Sequence, residues 1–150
     1  MTDHKAKNMN KKFTFLLLIL SLTFILPTGT NSQEEELIQG CIDSLRSPFV
    51  LGDRSMKAFL TGDEVAEFRT TFFGGNIYRI VSCTFEPYLI QFSVYDTDHN
   101  LLFNSANYQN VGLWDFKMEG SMECIIEARL NKEVASSGMA FLLVGFRYND

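Results

Sequence analysis

From Met56 onward, short apolar runs alternate with polar residues along the chain. The runs are "MKAFL", "EVAEFRTTFF", "NIYRIVSCT", "YLIQFSVYD", "NLLFNS", "VGLWDFKM", "MECIIEARL" and "GMAFLLVGFRY". Turn residues interrupt them about every ten positions, at "TGD", "GGN", "FEP", "DTDH", "EGS" and "SSG", and that spacing predicts an all-β sandwich or barrel. Period two assigns the faces. Ala66, Phe68, Thr70 and Phe72 share one side of their strand, and Glu67, Arg69 and Thr71 share the wet side. Trp114, Phe116 and Met118 point inward, as do Cys124, Ile126, Ala128 and Leu130. "MAFLLVGF" is apolar on both faces and is predicted to be a central strand. The expected domain is an antiparallel, jelly-roll-like β-sandwich of about eight strands over residues 56–150.

Upstream the period lengthens. In "SQEEELIQGCIDSLRSPF", Leu37, Ile38, Cys41, Ile42 and Leu45 recur at helical spacing. Ser32 is the expected cap, three Glu follow at the positive end of the helix dipole, and Ser47-Pro48 ends the helix. Residues 33–55 thus read as a short N-terminal helix and connector. Its apolar face lies on the sheet or, alternatively, docks on a partner. Residues 1–32 read as a secretory signal peptide, with Gln33 first after cleavage. Lys5, Lys7, Lys11 and Lys12 precede an apolar run from Phe13 to Leu26, and Pro27 and small polar residues follow. The run of about 14 residues falls short of the roughly 20 that a spanning helix needs, so no stable membrane anchor is expected after processing. The expected location is periplasmic or secreted.

Removing the leader changes the charge. The whole chain carries −5, and residues 1–32 hold four Lys and one Asp, so the remainder carries −8. An acidic domain repels phosphate backbones and anionic membrane surfaces, which argues against nucleic acid as a partner. Three cysteines remain: Cys41, Cys83 and Cys124. An oxidising compartment favours a disulfide, and Cys83 with Cys124 is the candidate pair if their strands are adjacent. The other reading makes all three small buried apolar residues. No C-x-x-C spacing supports thiol exchange or structural zinc. "LIQGC" resembles a lipoprotein processing site only loosely: Gln39 is bulky, and Glu34 to Glu36 separate Cys41 from the apolar run.

Candidate chemistry concentrates in "DTDHN". Asp96, Asp98 and Asn100 fill the first three ligand positions of a helix–loop–helix calcium loop. Leu101 replaces its glycine and Asn107 its bidentate glutamate, and the flanks are strand-like. The segment therefore reads as a hairpin turn, with a weak calcium site as the residual alternative. No other cofactor is indicated. His99 is the one histidine beyond the leader and reads as a solvated loop residue, with no nucleophile motif near it. The acidic residues from Gly62 to Phe68 read as a turn entering a strand. Phe73, in "FFGG", reads as a core residue of the second face, against the alternative of a binding contact on a loop tip.

The order of features in "FLTGDEVAEFRTTFFGGNIYRIV" resembles the opening of the bacterial pre-peptidase C-terminal domain, and is similar to the Golgi-dynamics (GOLD) type of β-sandwich. Gly74-Gly75, the Tyr78-Arg79-Ile80 strand, "FSVYDTDHNLL", "CIIEARL" and "GMAFLLVGF" follow in the matching order. The late G-x-Y element is altered here to "GSMEC". The chain also looks like a group of small exported bacterial proteins without an assigned activity. The resemblance implies a non-catalytic sandwich used for binding or accessory roles, with a protein or glycan partner in the envelope or outside the cell. It supplies no catalytic residues. The competing expectations are a carboxylate-dependent hydrolase and an envelope assembly protein that uses its N-terminal helix.

Overall fold

The computed structural model describes residues 30–149. The signal-peptide reading of residues 1–32, with its run from Phe13 to Leu26, lies outside the described residues except for Thr30 to Ser32, which are helical. The chain divides into two units, Met1–Glu34 and Glu35–Asp150, and the fold described below is that of the second.

Among the described residues one α-helix, α1 (Thr30–Leu45), precedes eight strands. These are β1 (Val50–Thr61), β2 (Val65–Phe72), β3 (Asn76–Cys83), β4 (Ile90–Asp96), β5 (Leu101–Asn104), β6 (Leu113–Met118), β7 (Met122–Leu130) and β8 (Ser137–Tyr148). Ser32 lies inside α1 rather than at its cap, and β1 begins at Val50, within the segment expected to be connector. All pairings are antiparallel and give two four-stranded sheets, ordered β1-β8-β3-β6 and β2-β7-β4-β5. That is the strand order of a jelly roll. β8 is central, as its two apolar faces require.

The inner faces meet in one core. Phe72, Ile80, Phe92, Val94, Ile126, Ala128 and Leu142 are fully enclosed in it. The inward rows expected in β2, β6 and β7 belong to this cluster or pack against it, apart from Thr70, which is half-buried and lines a cleft. A second, smaller core lies on the outer face of the first sheet. There Leu37, Ile38, Cys41, Ile42 and Leu45 of α1 pack on Val81, Cys83, Phe141 and Leu143. Gly145 permits this docking, because a Cβ on it would fall 2.8 Å from Leu45 Cδ2.

A disulfide closes the helix onto β3, and it joins Cys41 to Cys83 with their Cα atoms 5.7 Å apart. The expected Cys83–Cys124 bridge is thereby corrected. Cys83 sits on the outer face of the first sheet beneath α1, whereas Cys124 points from the second sheet into the main core. Cys124 is a free, buried thiol whose pKa is pushed up by desolvation, and by Asp96 and Glu123 nearby. Arg79 reinforces the helix end: it donates to the Leu45 carbonyl at 2.8 Å, forks onto Asp115 at 2.7 and 2.6 Å, and lies 4.2 Å from the Phe49 ring centroid. Among the described residues no helix is long and apolar enough to cross a membrane.

Candidate functional site

A sandwich of two four-stranded sheets has two seams, each where edge strands of opposite sheets face one another. Aromatic rings close the seam between β5 and β6. Phe103 stacks on Trp114 at 4.2 Å, Trp114 stacks on Phe116 at 4.3 Å, and Tyr108 covers Phe103 at 5.4 Å.

The seam between β1 and β2 is open at one end. The register of β1 against β8 slips between Leu51 and Ser55, so that Gly52 to Arg54 stand opposite Val144 alone. Such a bulge bends the strand that carries it. Gly52 is needed here, because a Cβ would fall 2.9 Å from the Val144 carbonyl oxygen. Beside the bulge lies a cleft of about 810 Å³, within the usual range for ligand sites. Met56, Phe72, Val144 and Phe146 form its apolar side, and Arg69, Thr71 and Glu123 its polar side. Phe73 and Tyr148 border it while remaining 61% and 73% exposed.

The turn that carries Phe73 is firmly held. The Phe73 N–H donates to the Tyr78 hydroxyl at 2.8 Å, and the Gly74 N–H donates to Ser121 Oγ at 3.0 Å. Asn76 Nδ2 donates to the Phe73 carbonyl at 3.2 Å. That fixes the amide and leaves Asn76 Oδ1 buried without a partner, the one such side-chain atom among the described residues. The expectation that Phe73 belongs to the core is corrected. β2 ends at Phe72, so Phe73 starts the turn and faces solvent at the cleft.

The residues of "DTDHN" are not in the cleft. Thr70, Cys124 and Asp96 lie in one row across the second sheet, which places the Asp96 turn two strands away. Asp96 Oδ1 accepts from the Asp98 and Asn100 N–H groups at 2.9 and 2.8 Å, and Oδ2 accepts from Asn100 Nδ2 at 2.8 Å. Asp96 is thus spent on its own turn, which His99 completes in the left-handed region at φ 59°. Among the described residues no group of three His, Cys, Asp or Glu is placed to hold a metal ion. The acidic stretch after Gly62 is a turn, closed by the Thr61 N–H and hydroxyl donating to Glu64 at 2.7 and 2.8 Å.

Arg69, Asn76, Glu123 and Tyr148 were not singled out by the sequence. They converge only because β1 bulges and β2 lies across from it. The exposed ring in "FFGG" was the single local signal.

No family model matches the chain, and no curated protein matches it. The resemblance to pre-peptidase C-terminal and Golgi-dynamics sandwiches therefore rests on strand and turn order alone. Among solved structures the chain is similar to Aeromonas hydrophila PliG, a periplasmic lysozyme inhibitor of g-type lysozyme. The identity is 11%, the match covers 64% of this chain and 85% of that one, and the TM-score is 0.46.

Proposed function

We propose that this chain is an exported, non-catalytic binding or accessory module whose ligand occupies the cleft between β1 and β2. The observation that carries the reading is the lining of that cleft: apolar residues on one side, polar side chains on the other, and two exposed rings, Phe73 and Tyr148, beside them. Exposed aromatic residues at a concave site supply contact area at little entropic cost.

The hydrolase alternative needs two carboxylates facing each other across the scissile bond, about 5–9.5 Å apart. Glu123 is the only carboxylate among the described residues that line the cleft. Assembly through the N-terminal helix is disfavoured, because the apolar face of α1 is already packed on the first sheet. Export rests on the tripartite leader pattern.

The test is titration of the protein with peptide and oligosaccharide panels, for the natural chain and for Phe73→Ala/Tyr148→Ala, alongside a turnover assay on glycosides, esters and peptides. The expected result is a bound ligand without turnover and a loss of affinity of about tenfold or more in the double variant, as for two truncated contact residues. Turnover that Glu123→Gln abolishes would establish the hydrolase instead.

A further inference from the structure

We infer that the ligand of this cleft is an extended peptide segment, which adds as a strand along the free edge of β2; this rests on the cleft being the binding site. Among the described residues β2 pairs with β7 alone, and none of their strands pairs with its other edge. Five consecutive residues, Arg69 to Phe73, line the cleft. Side chains alternate between the two faces of a strand, so a cleft lying on one face would be lined by every second residue. A consecutive run means that the cleft follows the edge itself, where backbone N–H and C=O groups point outward.

The walls match a ligand with the same period. Toward the interior the cleft offers Phe72, Met56 and Val144; toward the outer face it offers Thr71, Arg69 and Glu123. A strand bound there would direct alternate side chains to an apolar pocket and a polar rim, the usual division of labour in strand addition. Charge selects further. Arg69 is held by Glu67 at 3.1 Å, whereas Glu123 has no ion-pair partner among the described residues. The rim-facing residue that fits is therefore Lys or Arg, and the chain without its leader, at net charge −8, attracts a basic segment. A saccharide has no row of backbone donors and acceptors at strand spacing and would have to rely on Phe73 and Tyr148. The edge is also of a kind that invites pairing: eight residues long, free of proline, and in unbroken register with β7.

The test uses a random heptapeptide library panned on the protein lacking its leader. Selected peptides are resynthesised with each backbone amide N-methylated in turn and measured by calorimetry. Strand addition predicts a loss of about tenfold at alternate positions and little change between them, since each methyl removes one backbone hydrogen bond or none. It also predicts slower amide exchange at Arg69 to Phe73 on binding, and several-fold weaker binding of Lys- or Arg-bearing peptides to Glu123→Gln, with unchanged circular dichroism. Peptides indifferent to backbone methylation would overturn it. So would an empty peptide selection beside oligosaccharide binding that Phe73→Ala/Tyr148→Ala abolishes; the cleft would then stand as the binding site with a different ligand. If no probe binds in a way that cleft substitutions alter, both the strand and the site are wrong.

Discussion

Both carboxylate oxygens of Asp96 accept hydrogen bonds from within its own turn, and this has a consequence in pH. The Asn100 side chain is the largest influence holding the Asp96 carboxyl below the usual range, followed by the backbone N–H of Asn100. A carboxyl whose folded pKa is depressed stabilises the fold fully above its unfolded pKa, about 4, and loses that contribution as pH falls through the lower folded value. Asp96→Asn abolishes the charge while keeping one acceptor. The Tm difference between the natural chain and Asp96→Asn is expected to stay constant from neutral pH to about pH 5 and to shrink below pH 4. A difference that persists unchanged to pH 2 would show that the charge does not contribute. At this scale the sequence was informative: the strand-like flanks and the Asp and Asn residues of "DTDHN" predict a hairpin turn, and the segment is the turn between the paired strands β4 and β5.

At the scale of elements, the helix is bound to the sheet by three devices of different strength. They are the apolar face of α1, the Arg79 fork, and the Cys41–Cys83 link, which closes a loop with a sequence separation of 42. By loop-closure entropy a link of that span is worth about 4 kcal/mol. Cys41→Ala/Cys83→Ala is therefore expected to lower stability by roughly 3–4 kcal/mol. Because the main core lies on the other side of the sheet, the variant should keep its β circular dichroism while the amides of α1 exchange faster than those of β8. Equal acceleration in both would mean that helix and sandwich form one cooperative unit. The helix face was legible because its apolar spacing is unambiguous. The bridge was not, because both rows of β3 are apolar: Tyr78 and Ile80 face the main core, while Val81 and Cys83 face the helix. Period two cannot choose between two apolar rows. The cleft was illegible for another reason: it depends on extra residues at Gly52 to Arg54 in β1, and on which edges meet across a seam.

For the whole molecule, the pairings β4–β5, β3–β6, β2–β7 and β1–β8 are nested, so the sandwich is one long hairpin wrapped on itself. Its tip is the Asp96 turn. Closing the tip brings together residues only a few positions apart, and each outer pair then closes a longer loop at a greater entropic cost. Non-local pairing of this kind places folding in the slow, millisecond-to-second regime typical of β-sandwiches. The nesting also orders the events. If β4–β5 forms first, substitutions at the tip act on the folding rate, and substitutions at the turn between β1 and β2 act on the unfolding rate. Asp96→Ala should therefore give a φ-value above about 0.5, and Glu64→Ala, which frees the Thr61 turn, a value below about 0.3. Stopped-flow chevrons of the two variants provide the measurement. The reverse order of φ-values would place the nucleus at the β1–β2 turn, and the tip would then be a late closure rather than the start of the wrap.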